Sequence, residues 1–168
     1  MKKIEWFKRK FRQQDENGTL PGIIERLSGT PVRLEEKIEN TDVSKFELKT
    51  GDKWSIKEEI GHLLDLEPLW YGRMEDFINR EIELRSADLK NRKTHEANHN
   101  ERAVEDILAD FRKERKKFVE KIIQMNDADL INTALHPRLK TPMKVIDLAY
   151  FVAEHDDHHL AQITSLSR

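Results

Sequence analysis

The sequence contains no cysteine, few glycines and prolines, and no long hydrophobic run. Without cysteine the protein has no disulfide, no thiolate metal site and no cysteine nucleophile. A protein without disulfides fits a reducing compartment, so we expect a cytoplasmic location. No apolar segment approaches the roughly 18 residues of a membrane span, and no signal peptide is visible, so we expect no membrane partner.

What the sequence does contain is charge of both signs in nearly equal amounts. Charged residues make up 37% of the 168 residues, hydrophobic residues also 37%, and the net charge is -2. This balance supplies no global field that would recruit nucleic acid, so we predict no nucleic-acid partner. Heavily charged faces with only six glycines and five prolines favour a helical protein over a β-sandwich or barrel.

A chain of this length fits one domain, which we divide into an arm at residues 1–18 and a bundle at residues 20–166. The arm interleaves basic with aromatic residues: Lys2, Lys3, Trp6, Phe7, Lys8, Arg9, Lys10, Phe11 and Arg12. Such an arm suits an anionic lipid or nucleic-acid surface, or it forms a short helix whose aromatic residues pack on the body. We favour the packed helix because no other basic cluster accompanies it.

Hydrophobic periodicity predicts four principal helices, at about residues 20–40, 55–80, 101–125 and 141–166. Ser55 is a predicted N-cap, with Glu58 three residues later completing a capping box. Thr141 is a second predicted N-cap, followed by Pro142 at the first helical position. Pro31 should kink or break the first helix. Four helices of this length predict an all-α protein, a four-helix bundle.

The most informative stretch lies in the last of these helices. His155 and His159 are four residues apart and therefore share one face of a helix; we call them the histidine pair. The rest of that face is an apolar stripe that contains one amide: Leu148, Phe151, Val152, Gln162 and Leu166. Polar groups in a buried stripe need partners, so the histidine pair is a candidate functional site.

His62 is a third histidine near a core face, on the second predicted helix. It lies about 10 Å past the start of that helix, and the histidine pair lies about 13 Å before the end of the last one. These levels match only if the two helices are antiparallel. Up-down-up-down order would make them parallel and separate the histidines. The long link between the second and third helices permits a crossover to up-down-down-up order, which is consistent with a three-histidine site.

Three neutral imidazoles suit Zn²⁺ or another late first-row ion such as Ni²⁺, which makes His62, His155 and His159 the predicted ligands. Three protein ligands leave one position open, as is typical of reactive sites. That position can hold water or the thiolate of a cofactor. Glu58, Asp65 and Gln162 are candidates to orient ligands or substrate, and Glu58 and Asp65 are the candidate catalytic residues.

The remaining histidines are weaker candidates. His95-Glu96-Ala97-Asn98-His99 matches the H-E-x-x-H pattern of zinc proteases, but its flanks supply no apolar face to seat a catalytic helix. This segment lies in the long link and could instead line the pocket of the other site. His158 falls off the line of the histidine pair, so we expect it beside the site or at the surface. His136 precedes a proline, which indicates a structural loop residue.

Two segments resemble the DinB-like superfamily of metal-binding four-helix bundles. Residues 54–63, WSIKEEIGHL, are similar to its W-S-x-x-E-x-x-x-H-L segment, and residues 155–163, HDDHHLAQI, to its H-x-x-x-H-x-x-Q segment. The similarity extends over about residues 20–166 and leaves the arm uncovered. The resemblance implies an up-down-down-up bundle, with His62, His155 and His159 as ligands of zinc or nickel, and often a homodimer.

The activity that the resemblance implies is less specific than the fold. Some members of the superfamily are S-transferases that use a low-molecular-weight thiol such as bacillithiol, and others are described as metal-dependent hydrolases. The wider superfamily also includes mycothiol-dependent isomerases. Our leading hypothesis is therefore a metal-dependent enzyme acting on a small molecule, either a thiol-dependent S-transferase or a hydrolase. The rival is a non-catalytic metal-binding or stress-related dimeric bundle protein. In a third interpretation the histidines only form hydrogen bonds inside the core.

Overall fold

The computed structural model describes residues 4–14 and 17–168. Over this part of the chain it contains six α-helices and one short two-stranded sheet. In chain order the elements are α1 (Leu20–Glu39), α2 (Ile56–Ile78), α3 (Arg92–Glu96), α4 (Val104–Ile123), α5 (Asp127–Leu130), β1 (Ala134–Leu135), β2 (Pro142–Met143) and α6 (Val145–Leu166). Single 3₁₀ turns lie at Trp6–Lys8, Asn17–Thr19, Val43–Lys45 and His99–Glu101. The four long helices, α1, α2, α4 and α6, confirm the predicted all-α four-helix bundle.

The start of α2 confirms the predicted capping box. The backbone N–H of Ser55 donates to Glu58 Oε2 at 2.8 Å, and the N–H of Glu58 donates to Ser55 Oγ at 3.2 Å. These two bonds satisfy donors that the first turn of a helix otherwise leaves without partners. The reciprocal pair fixes where α2 begins and therefore the level at which its later side chains lie.

Pro31 does not break α1, which continues from Leu20 to Glu39. Proline has no N–H to offer the carbonyl four residues earlier, so the carbonyl of Leu27 loses its partner in the helix. The guanidinium of Arg115 on α4 donates to that carbonyl at 3.3 Å. A buried side chain from another helix thus replaces the missing backbone hydrogen bond, which explains why the helix is continuous.

Cross-helix contacts give the direction of α6 relative to its two neighbours. Lys37 near the end of α1 donates to Thr164 near the end of α6, at 2.6 Å, so these two helices are parallel. Glu59 near the start of α2 bonds His159, whereas Trp70, further along α2, packs against Phe151 in the first half of α6. Helices α2 and α6 are therefore antiparallel.

The direction of α4 follows from its contacts with α2. Glu67 accepts from Arg115 at 2.6 Å, and Lys121 lies 5.5 Å from the ring centre of Tyr71. From the first contact to the second, the residue numbers increase in both helices, so α2 and α4 are parallel. With α1 and α6 pointing the opposite way, the order is up-down-down-up, as predicted, and the long link between α2 and α4 is the crossover.

A polar layer divides the apolar core at mid-height of the bundle. The layer consists of Thr30, Glu67, Arg115 and Asp156, one from each long helix, and all four are buried. Arg115 forms ion pairs with both carboxylates, and the Thr30 hydroxyl donates to Asp156 at 2.8 Å. The burial of such charges is tolerable only because each has a charged partner. Apolar side chains fill the bundle on either side of this layer.

The prediction that Thr141 and Pro142 begin the last helix is wrong. Pro142 and Met143 instead form β2, which pairs antiparallel with β1, and α6 begins at Val145. The carboxylate of Asp147 accepts from the backbone N–H of Lys144 at 2.9 Å and so caps the helix three residues later than predicted. The segment between the third and fourth predicted helices accordingly contains the short helix α5 and the strand β1.

The described part of the N-terminal arm packs on the bundle as a short 3₁₀ turn followed by extended chain. Trp6 and Phe11 pack against Phe151 of α6, with ring centres 5.1 and 4.7 Å apart. These contacts agree with a packed arm, although Lys2 and Lys3 of the arm lie outside the described residues. Within the residues described, no helix is both long and apolar enough to cross a membrane.

Candidate functional site

Three buried histidines from two helices meet inside the bundle. His62 comes from α2, and His155 and His159 come from α6. Their side chains are 4%, 5% and 6% exposed, and each offers a ring nitrogen within 4.8 Å of the other two. The antiparallel packing of α2 and α6 brings them to one level, and the four-residue spacing stacks the histidine pair on the inner face of α6. The geometry therefore brings together the three residues that the sequence singled out.

His159 is oriented by a carboxylate that lies behind it. Its Nδ1 is 2.5 Å from Glu59 Oε2, and both side chains are buried. A carboxylate only accepts, so the imidazole carries a proton on Nδ1 and donates it to Glu59. The lone pair of the neutral ring is then on Nε2, the nitrogen that faces His155.

His62 is oriented through a threonine of the long link. Its Nδ1 is 3.1 Å from Thr94 Oγ1, and Thr94 is also hydrogen bonded to the carboxylate of Asp65. Since that carboxylate accepts the hydroxyl proton, Thr94 in turn accepts the Nδ1 proton of His62. This arrangement leaves the lone pair of His62 on Nε2, the same nitrogen as in His159. Asp65 thus acts on His62 through an intermediate hydroxyl.

His155 is the least satisfied of the three imidazoles. Its Nε2 lies 3.2 Å from Nε2 of His159, and its buried Nδ1 has no hydrogen-bond partner among the described residues. Trp6 contacts the ring edge to face at 4.9 Å and Trp70 at 5.9 Å. Burial, and then the charge of His159, lower the pKa of His155 well below its usual value, so the ring is neutral near pH 7.

The donor set fits a divalent metal ion. Burial first, and then the charge of His159, lower the pKa of His62 to about 3, which keeps this imidazole in the neutral form that binds metals. Two nitrogen atoms that bind one zinc ion with the usual bond length and a tetrahedral angle lie about 3.3 Å apart. The Nε2 atoms of the histidine pair are 3.2 Å apart, which is close to this value. Carboxylate or hydroxyl groups that accept the second ring proton are the usual support of metal-binding histidines.

Glu58 caps its own helix, and Gln162 lies in a groove beside the site. The carboxylate of Glu58 is engaged in the capping box and accepts from Lys49 at 2.8 Å, and these two contacts, set against burial, lower its pKa. Gln162 is half-buried and lines a groove on the far side of Trp54 together with Glu59. Of the residues proposed to assist the site, Asp65 contacts Thr94, which is hydrogen bonded to His62.

The H-E-x-x-H segment does not form the helix that a zinc protease needs. Helix α3 ends at Glu96, and Asn98 has a left-handed backbone with a φ of 51°, so His95 and His99 do not share a helix face. His95 is exposed, whereas His99 is buried and its Nε2 lies 2.9 Å from Asp65. His99 therefore contacts the same carboxylate that supports His62 through Thr94.

The histidines open onto a cavity of about 330 Å³. The three tryptophans of the sequence, Trp6, Trp54 and Trp70, all line it, and Trp54 lies 4.6 Å from the ring of His62. Phe7 of the arm and residues 86–89 and 91 of the long link form other parts of the wall, and His158 also faces the cavity. A largely aromatic wall beside three polar ligands is typical of a small-molecule site.

Sequence reasoning missed Glu59, Thr94 and the tryptophans of the wall. Glu59 carried a usable signal, because it lies three residues after Ile56 and four before Leu63, both of which are in the core. A carboxylate on that stripe, three residues from His62, is positioned to face the same interior. Thr94 carried no comparable signal, because it belongs to a link of weak periodicity and comes into place only through tertiary packing.

Comparisons with known proteins support the same fold. No curated protein matches the sequence significantly. Among solved structures, YfiT from Bacillus subtilis, described as a probable metal-dependent hydrolase with an unusual four-helix bundle topology, is 21% identical. The match covers 95% of this chain and 92% of that chain, with a TM-score of 0.80, and at this identity it shows a shared fold alone. The family model of the DinB superfamily matches residues 26–163, and the chain therefore belongs to the DinB superfamily.

Proposed function

We propose that the protein is a metal-dependent hydrolase of a small molecule, with His62, His155 and His159 as ligands of a zinc or nickel ion. The observation that carries the proposal is the set of three buried imidazoles whose nitrogens converge at the wall of a cavity. Two of them have acceptors behind them that hold the metal-binding tautomer. The description of YfiT as a probable metal-dependent hydrolase supports this choice of reaction class.

A divalent ion with one open position supplies a Lewis acid that lowers the pKa of water and polarises a substrate oxygen. The residues of the chain supply the rest. Glu59 and Thr94 hold two imidazoles in place, so that little reorganisation is needed when an ion binds. Trp54 and Trp70 contact histidine rings and exclude bulk water from that side of the site, which strengthens electrostatic interactions within it.

A thiol-dependent S-transferase is the second candidate, and the size and lining of the cavity support it. The cavity is large enough for a small molecule and most of its surface is apolar, which suits the apolar part of an electrophile beside a thiol. Because the chain has no cysteine, that thiol would have to be a separate molecule such as bacillithiol. In this mechanism the open position would favour the thiolate over the thiol as the nucleophile.

Metal content after purification without a histidine tag tests the proposed site. We expect close to one equivalent of zinc or nickel in the wild type and a loss of at least tenfold in His159→Ala. His95→Ala is the matched control, because it removes an exposed histidine outside the group and should leave the metal content unchanged. Equal and negligible metal in all three proteins would refute the proposed metal site.

Turnover of the metal-loaded protein then separates the remaining functions. Hydrolysis of ester, amide or phosphoester substrates without added thiol supports the hydrolase, and turnover of an electrophile only with bacillithiol supports the transferase. Activity in either assay should fall together with metal content in His155→Ala. Bound metal without turnover in any assay would favour the non-catalytic metal-binding bundle. Homodimer formation and a cytoplasmic location stay predictions.

A further inference from the structure

A second group of polar side chains lines the same cavity, away from the three histidines. It consists of Arg73 on α2 with His136 and Arg138 in the loop between β1 and β2; we call it the basic cluster. The ring of Phe151 lies 5.2 Å from His136 and 5.1 Å from Trp6, which in turn contacts His155. A small molecule that fills the cavity can therefore reach the basic cluster and the histidines together.

Arg138 is a cation without a partner charge among the described residues. Its guanidinium lies 5.2 Å from the ring centre of Phe7, and its buried Nη2 has no hydrogen-bond partner there. Burial lowers the pKa of Arg138, and no described carboxylate opposes that shift. A guanidinium with a buried donor that has no acceptor is costly unless an anion compensates it, which makes this position of a half-buried arginine unusual for a purely structural one.

Arg73 lies deeper in the wall, where the charge of Asp76 offsets part of the cost of its burial. It is 1% exposed, its Nε donates to the carbonyl of Arg85 at 3.1 Å, and its guanidinium lies 5.2 Å from the ring centre of Trp70. The nearby carboxylate of Asp76 is engaged with Arg85 at 2.7 Å. Burial lowers the pKa of Arg73 to about 10, so it is still charged at neutral pH.

His136 adds a third donor to the two guanidinium groups. Its Nδ1 accepts the backbone N–H groups of Arg138 and Leu139, both at 3.2 Å, so the neutral ring carries its proton on Nε2. That Nε2 lies 3.5 Å from Nη1 of Arg73, so two donors face each other and neither can accept from the other. Donors that converge without an acceptor among them are the donor set of an oxyanion site.

Other charges of the surroundings do not neutralise the cluster. Asp88 is the carboxylate in the cavity wall, and it already accepts from Arg92 at 3.1 Å and from a backbone N–H. Lys140, which follows the cluster in the loop, pairs with Glu83 at 3.1 Å. The field at this end of the cavity is therefore positive, and it favours an anionic group on whatever molecule enters.

We propose that the basic cluster binds the carboxylate or phosphate group of the small molecule whose other end meets the three histidines. The statement that the other end of the molecule meets the three histidines rests on the proposed function, whereas the binding of the anionic group does not. The site would restrict substrates to organic acids or phosphate esters small enough for a cavity of about 330 Å³. Two planar guanidinium groups match the geometry of either anion, because they can present paired donors to two oxygens.

The test measures anion binding to the metal-free protein by intrinsic fluorescence. All three tryptophans line the cavity, so an occupant changes their emission directly. Protein stripped with a chelator is titrated with sodium phosphate and, separately, sodium acetate at constant ionic strength, with sodium chloride as the reference salt. The variants are Arg138→Gln and, as matched control, Arg102→Gln, which removes an arginine whose charge is paired with Asp110 on the surface.

We expect a saturable response of the wild type to phosphate, acetate or both, and none to chloride. Arg138→Gln should bind at least tenfold more weakly, and Arg102→Gln within twofold of the wild type. The anion that binds identifies the substrate class. Because no metal is present, a failure of the metal site leaves this result unaffected.

Two results would overturn the proposal: equal responses to all three salts, or equal affinity of wild type and Arg138→Gln. Circular dichroism checks that the variants are folded. If Arg138→Gln does not fold, Arg138→Lys replaces it, because lysine keeps the charge but loses the planar pair of donors. The lysine variant should then show a weaker but measurable saturable response, and an affinity equal to that of the wild type would count against the proposal.

Discussion

Substitution of Glu59 by glutamine tests how the chain prepares its histidines for a metal ion. Glutamine has the same size and can still accept a hydrogen bond through its amide oxygen, but it lacks the charge. The contact between Glu59 and His159 is 2.5 Å long and both groups are buried, so no bulk water can replace the carboxylate. The perturbation therefore removes the charge from an otherwise preserved contact.

The expected loss of metal affinity is between tenfold and 100-fold. Groups that accept the second ring proton of a ligating histidine typically contribute this much to affinity. It corresponds to about 1.4–2.7 kcal/mol, close to the roughly 1.5–3 kcal/mol that a hydrogen bond to a charged group contributes. The low exposure of Glu59 places the expected effect toward the upper end of this range.

Competition with a chromophoric zinc chelator at pH 7 measures the affinity, and the neighbouring residue provides the control. Glu58→Gln is the same substitution one position earlier, where the carboxylate caps α2 and contacts Lys49 instead of a histidine. It should cost about 1 kcal/mol of folding stability and leave the zinc affinity within twofold of the wild type. Equal zinc affinities for Glu59→Gln and the wild type would refute the role given to Glu59, and so would an equal loss in both variants.

Three further predictions concern the fold around the site. Gly61→Ala should destabilise the protein by about 1–3 kcal/mol, because its Cβ would lie 2.3 Å from the ring of His99. Gly29→Ala, whose Cβ would contact nothing within 4 Å, should instead stabilise it by about 0.5–1 kcal/mol, and urea unfolding measures both. Arg115→Met should cost about 3–5 kcal/mol in the same assay, because it leaves the two carboxylates of the polar layer buried without a cation, and a loss below 1 kcal/mol would contradict that role. Burial and nearby cations lower the folded-state pKa of His136 to about 3, so it contributes stability that is full above pH 6.5 and declines as the pH falls toward 3. Between pH 7 and pH 5 the wild type should therefore lose up to about 2 kcal/mol of unfolding free energy through His136, and His136→Asn should lack this part of the loss. An equal loss in the wild type and the variant would contradict the low pKa of His136.

Local signals in the sequence were sufficient for the four long helices and were consistent with the order that the family resemblance implied. The capping box at Ser55 is encoded within four residues, and the levels of His62 and the histidine pair constrain how α2 and α6 pack. The start of α6 was predicted three residues too early, because a proline after a threonine is common both at the start of a helix and in a short edge strand. Only the pairing of β2 with β1 decides between them, and that pairing is a tertiary contact.

The surroundings of the site were harder to predict than its centre. The candidate carboxylates were Glu58 and Asp65, whereas the structure places Glu59 against His159. Glu58 and Glu59 are both within four residues of His62, and only the exact helix phase separates a capping residue from a buried one. The basic cluster could not be anticipated at all, because Arg73 and Arg138 come from distant parts of the chain and neither belongs to a recognisable motif.

The 100 residues that separate Glu59 from His159 have a consequence for folding. Their contact closes a long loop, so the complete site exists only after α2 and α6 have docked. The unfolded chain retains just the local spacing of the histidine pair, which is a weaker ligand. A metal ion at the site would therefore bind the native state selectively and raise the unfolding temperature with its concentration, by about 2.7 kcal/mol of stability at 100 times its dissociation constant. Thermal unfolding in a series of zinc concentrations thus reports completion of the tertiary fold as well as occupancy of the site.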